Sequence, residues 1–121
     1  MLCYSLVIYT VEPEKAPHFV GTLRRGGLWH ALSTQMPGHL GTSVLESDTD
    51  RFEFLVIDFW ISRQSFGAAQ TNPATVFLAT FLDRLAQSSI RLGMFVLETE
   101  QLPLEESSGL DVQSFDQVRV H

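Results

Sequence analysis

Residues 36–66, MPGHLGTSVLESDTDRFEFLVIDFWISRQSF, read as two strands joined by a polar turn and followed by a helix start. Pro37-Gly38 breaks whatever precedes it. His39 to Glu46 is strand-like, and Ser47-Asp48-Thr49-Asp50 has the composition of a turn. Arg51 to Ile61 is a run of large β-forming residues, and Ser62 has the hydroxyl of a helix N-cap. Within that run Phe52, Phe54, Val56, Asp58 and Trp60 share one face. Glu53, Leu55, Ile57, Phe59 and Ile61 share the other. Both faces are mostly apolar, so both need cover.

Upstream, Leu2 to Val11 (LCYSLVIYTV) is a second two-sided apolar strand. Glu12-Pro13-Glu14-Lys15 begins a helical segment that runs to about Gln35, with acids and proline suited to its first turn. Gly26-Gly27 interrupts it, because two glycines in a helix interior cost roughly 2 kcal/mol relative to alanine, and a kink or two shorter helices is expected. Downstream, Ser62 to Gln70 predicts a short helix. Asn72-Pro73 then caps and starts a longer one, in which Ala74, Phe77, Leu78, Phe81, Leu82 and Leu85 form an apolar stripe. Gln87-Ser88-Ser89 is expected to end that helix, and Ile90 to Glu98 to form the last strand.

The predicted order is β-α-β-β-α-β, an α+β ferredoxin-like unit with a four-stranded antiparallel sheet. Helices cover one sheet face in such a unit. The apolar character of the other face predicts a symmetric dimer that stacks two sheets. Residues 1–98 form the expected domain and residues 99–121 an acidic tail. The tail holds five acids against Arg119 and so carries −4 of the formal charge of −6. Its Leu102, Leu104, Leu110, Val112, Phe115, Val118 and Val120 suggest a strap onto the domain or the dimer partner.

This charge balance offers no basic footprint for nucleic acid. No basic amphipathic segment suggests a membrane surface, and Leu2 to Val11 is too short to span a bilayer. It also lacks the basic start and small-residue cleavage site of a signal peptide, so a cytoplasmic location is expected. The single cysteine, Cys3, excludes an intrachain disulfide and any cysteine-based zinc site. No His, Asp and Glu spacing resembles a zinc or iron site.

The element order, the Pro-Gly before the second strand, and the strand FLVIDFW followed by ISRQSF together resemble the antibiotic biosynthesis monooxygenase family. The resemblance covers about residues 2–98. It implies a dimeric α/β barrel with a pocket between sheet and helices, and Trp60 matches a tryptophan often found at the pocket edge. Family members include oxygenases of quinols and polycyclic aromatics that use no metal or flavin, and others that degrade haem. The chain also departs from the pattern. Ala69 and Ala74 stand where many members carry histidine, and Val56 and Phe66 stand where some polyketide-oxidising relatives are polar. No histidine lies between Leu40 and Val120, and no asparagine between Leu2 and Val11, which weakens the haem reading.

The resemblance implies cofactor-free oxidation of a small or polycyclic aromatic, quinol-like or anthrone-like, by a homodimer. Such chemistry needs a dry pocket, a base and a donor for the resulting anion. Trp60 is the candidate to stack on the substrate or donate its indole N–H; its ordinary alternative is a core aromatic. Asp58, among apolar neighbours on the same face, is a candidate base, or else pairs with a cation. His30 is a second candidate base, or else a surface residue. Tyr9, Phe66, Phe77, Phe81 and Arg91 are the candidate substrate contacts, with core packing or solvent as their alternatives. His18 reads as surface and His39 as a solvated strand end. A non-catalytic ligand-binding or assembly module on the same fold is the rival reading. A haem-binding relative, dependent on His30 reaching the pocket, is the third.

Overall fold

The computed structural model describes residues 2–99. Strand β1 (Cys3–Val11) leads through a short 3-10 turn to helices α1 (Ala16–Leu23) and α2 (Leu28–Ser33). Strands β2 (His39–Glu46) and β3 (Glu53–Trp60) follow, then helices α3 (Arg63–Gln70) and α4 (Pro73–Leu85), and strand β4 (Ala86–Val96). The strands form one antiparallel sheet in the order β2-β3-β1-β4. This is the ferredoxin-like arrangement expected from the element order.

Local chemistry accounts for most boundaries. The Ser62 hydroxyl accepts the Ser65 N–H at 3.0 Å, and Asn72 Oδ1 accepts the Ala74 N–H at 2.8 Å. Both are N-caps that satisfy otherwise orphaned helix donors. The interruption between α1 and α2 falls at the paired glycines. Gly26 has φ of 85°, a conformation other residues rarely adopt. Gly27 lies so close to the Gly21 carbonyl that a Cβ would collide with it.

One boundary differs from expectation. Strand β4 begins at Ala86, directly after α4, rather than at Ile90. Ser88 and Ser89 stand opposite Thr10 and Tyr9 of β1. Ladder hydrogen bonding to a central strand overrides the weak strand preference of serine and glutamine.

The core lies on the helix-covered face of the sheet. Phe54, Val56 and Trp60 of β3 and Tyr9 and Val11 of β1 meet Phe19, Leu23, Trp29, Leu78 and Leu82 from the helices. On the opposite face, Leu6 and Ile8 of β1 and Leu55, Ile57 and Phe59 of β3 are only half-buried. Leu45, Ile90 and Phe95 beside them are exposed, at 51%, 60% and 49%. The proposed strap of the acidic tail falls outside the described residues.

Candidate active site

The cavity that matters lies between the sheet and the helices. It has a volume of about 220 Å³, and its lining is mainly apolar, with Val56, Trp60, Phe66, Leu78 and Met94 among the walls. The polar groups facing it are few: Asp58, Tyr9, Arg91, Ser5, Gln70 and Thr75. A small set of placed polar groups in an apolar chamber is the usual form of a small-molecule site.

Asp58 is held by three donors, and all three fall on one oxygen. Oδ1 accepts the Thr42 hydroxyl at 2.6 Å, the His39 Nε2 N–H at 2.9 Å and the Trp29 indole N–H at 3.0 Å. Trp29 divides its single N–H, since Thr42 Oγ1 also lies 2.8 Å from it. Because carboxylate oxygens only accept, Nε2 of His39 is the nitrogen that carries hydrogen. Oδ2 makes no hydrogen bond among the described residues, and the carboxylate borders the cavity.

Trp60 is in the opposite condition. It is 2% exposed, and its Nε1 is the buried side-chain donor without a partner among the described residues. An unmet buried N–H costs about 1–3 kcal/mol, and this one belongs to a side chain that lines the cavity. The ring is fixed edge-on by His39, with centroids 4.8 Å apart, and by Phe66 at 5.9 Å. The side chain lines the cavity while being almost wholly enclosed.

The register of β2 explains how His39 comes to be there. Thr42 stands opposite Asp58, so in a regular strand Leu40 would stand opposite Trp60. An irregularity between His39 and Gly41 inserts one residue, and His39 takes that place instead. Leu40 is left 53% exposed while the His39 side chain is only 4% exposed. Bulges commonly re-aim a side chain in this way near functional sites. The solvated strand end expected for His39 is therefore corrected.

Tyr9 closes another part of the cavity. Burial, then the Asp83 carboxylate, push its phenol from the ordinary 10 up to about 12, with Arg91 acting in the opposite direction and Asp58 adding to the rise. It is a neutral phenol across the physiological range.

Of the expected site residues, the fold brings together Trp60, Asp58, Tyr9, Phe66 and Arg91. It does not bring in the other three. His30 is exposed, accepts the Gly26 N–H at Nδ1, and lines a separate polar pocket of about 300 Å³ with Arg25, Ser33, His39 and Thr42. Phe77 is 55% exposed and stacks on Phe81, so the outer part of the α4 stripe turns from the cavity, while Leu78 and Leu82 line it. With His30 outside the cavity, the haem reading loses the ligand it required. Among the described residues no three His, Cys, Asp or Glu side chains group to hold a metal ion, and no helix is long and apolar enough to cross a membrane. Trp29, Thr42 and His39 are the site residues that sequence reading missed.

A family model described as antibiotic biosynthesis monooxygenase matches residues 4–76. Among solved structures, the chain is similar to a mutant of SnoaB, a cofactor-independent oxygenase from Streptomyces nogalater. The TM-score is 0.69 at 21% identity, over 87% of this chain and 98% of that one. It is also similar to a conserved protein from Methanosarcina mazei Go1, with TM-score 0.66 at 11% identity over 78% and 91% of the two chains. Rv0793 from Mycobacterium tuberculosis gives 0.64 at 11% identity over 83% and 98%. At these identities the likeness establishes the fold. A search among curated protein sequences finds no match.

Proposed function

The chain belongs to the antibiotic biosynthesis monooxygenase family, and we propose that it oxidises a small ionisable aromatic with molecular oxygen, without metal or flavin. The observation that carries this reading is the unpartnered indole N–H of Trp60 beside the Asp58 carboxylate in an apolar cavity. One group is free to take a proton, and the other is free to stabilise the oxyanion that results. SnoaB, of the same fold, is a cofactor-independent oxygenase, which supports the assignment.

The residues suggest the following sequence. The substrate's O–H proton passes to Asp58 Oδ2, and the electron pair stays on the aromatic as phenolate. Trp60 Nε1 donates to that oxygen. Delocalised charge on a ring carbon reduces dioxygen, and a C–O bond forms as a peroxide. The O–O bond then breaks as the ring carbon loses its hydrogen and becomes a carbonyl. The departing oxygen collects two protons, one of them from Asp58, and leaves as water. One phenol and one dioxygen thus give one quinone and one water. The mainly apolar lining strengthens both electrostatic contacts. A volume of about 220 Å³ lies below the usual ~300–1,000 Å³ of drug-sized sites, and favours one or two fused rings over larger polycycles.

The uncovered apolar sheet face supports a homodimer formed by sheet stacking, with Leu6, Ile8, Leu55, Ile57 and Phe59 on its central strands and Leu45, Ile90 and Phe95 on its edge strands. The second reading, a binding module without turnover, rests on Ala69, which is buried in the core at 5% exposure and offers no acid–base group where many relatives carry histidine. Oxygen uptake separates the two. A panel of naphthols and hydroquinones is expected to give uptake above buffer with quinone as product. Saturable binding of the same compounds without uptake would establish the binding module instead.

A further inference from the structure

We propose that His39 is the positioning residue of Asp58. Its Nε2 N–H, brought to the helix-covered face by the irregularity at Leu40, pins Oδ1 and leaves Oδ2 as the oxygen available to a ligand in the cavity. The inference rests on the oxygenase reading only for the ligand's being a substrate.

Three observations support it. The hydrogen bond is 2.9 Å long between a side chain 4% exposed and one 20% exposed. The imidazole is wedged edge-on between two indoles, Trp29 at 5.3 Å and Trp60 at 4.8 Å, so its plane is fixed by packing. The donors form one network: Trp29 divides its N–H between Asp58 and Thr42, Thr42 gives its hydrogen to Asp58, and the His39 N–H is directed at Asp58 with Thr42 Oγ1 farther off at 3.3 Å. Nδ1 makes no hydrogen bond among the described residues, and Nε2 lies closer to Asp58 Oδ1, at 2.9 Å, than to Thr42 Oγ1, at 3.3 Å, so the imidazole's shorter contact is with Asp58. A carboxylate with three donors on one oxygen has a defined orientation, and its free oxygen is the one able to accept a proton. His39 thus acts on the chemistry through Asp58, as groups that orient a catalytic carboxylate do.

Two substitutions separate hydrogen bonding from packing. His39→Gln keeps an N–H at about the position of Nε2. His39→Phe keeps a ring between the indoles and removes the donor. In full-length protein, hydrogen exchange of the Trp29 indole N–H, read by NMR, is expected to quicken at least about tenfold in the Phe variant, equivalent to the loss of one directed interaction. The Gln variant is expected to stay within about threefold of wild type. With 1-naphthol as probe, kcat for oxygen uptake is expected to fall at least about tenfold in the Phe variant at little-changed KM, and to be largely retained in the Gln variant. A Phe variant with wild-type exchange and kcat would overturn the proposal. So would a folded Gln variant that loses as much as Phe. If the wild type consumes no oxygen, the oxygenase reading fails, and the exchange result alone decides the role of His39.

Discussion

Asp58 and Trp60 share one face of β3, two positions apart, and their hydrogen-bonding states are opposite. Oδ1 of Asp58 accepts three hydrogen bonds, whereas Nε1 of Trp60 makes none among the described residues. A strand rises about 3.3 Å per residue, so the two residues stand close along β3, and both line the same cavity. The unmet N–H lowers stability while the carboxylate is held firmly, an asymmetry that the proposed chemistry would use.

Trp60→Phe tests the orphaned donor. Removing an unmet N–H returns about 1–3 kcal/mol, which offsets the packing lost with the smaller ring. The variant is expected to unfold within about 1 kcal/mol of wild type in urea while its kcat/KM falls at least about tenfold. A large loss of stability with unchanged turnover would make Trp60 a core residue only.

Tyr9 predicts a loss of stability in alkali. Its phenol is raised to about 12 in the folded protein from 10. Between those values the unfolded chain releases a proton that the folded one keeps, so stability falls as pH rises through that window. The upper bound is about 3 kcal/mol for two units. Urea midpoints at pH 8 and pH 11 are expected to differ more for wild type than for Tyr9→Phe. Equal differences would remove the burial effect.

Phe95→Arg tests the sheet-stacked dimer. Phe95 is 49% exposed on the uncovered face, and a charge there would be buried unpaired on association. Sedimentation equilibrium at micromolar concentration is expected to give twice the chain mass for wild type and the monomer mass for the variant. A monomeric wild type would contradict the proposed assembly.

Gly38→Ala tests the turn that launches β2. Gly38 has φ of 85°, and a Cβ there would collide with the Ser65 side chain. The conformational penalty of about 1 kcal/mol adds to an overlap of about 1–3 kcal/mol. A fall in thermal midpoint of several degrees is expected. An unchanged midpoint would mean that α3 yields without cost.

Much of the fold was legible because period and punctuation agreed. The two-sided apolar strands, Pro37-Gly38, the Ser62 and Asn72 caps and the paired glycines each appear where they were read. The candidate site was legible only in part. Asp58 and Trp60 follow from alternation along one strand, and Tyr9 and Arg91 were candidates from the first and last strands, which the fold sets side by side. His39, Thr42 and Trp29 were not readable in this way. The face presented by His39 depends on one inserted residue at Leu40, and nothing in the alternation of β2 reveals that insertion. Trp29 reaches Asp58 across 29 residues of chain separation, a contact set by packing of α2 on the sheet. Phe77 failed for the converse reason: an apolar stripe gives a helix face, and α4 directs only part of that face inward.

The central claim is that Asp58 and Trp60 support insertion of one atom of dioxygen into an aromatic substrate. Incubation with a naphthol under oxygen-18 gas, followed by mass spectrometry, tests it most directly. The account predicts a quinone carrying one labelled carbonyl oxygen, the second atom in water, and loss of at least about 99% of the rate in Asp58→Asn. Unlabelled quinone with stoichiometric hydrogen peroxide, or labelled product formed equally fast by Asp58→Asn, would contradict it.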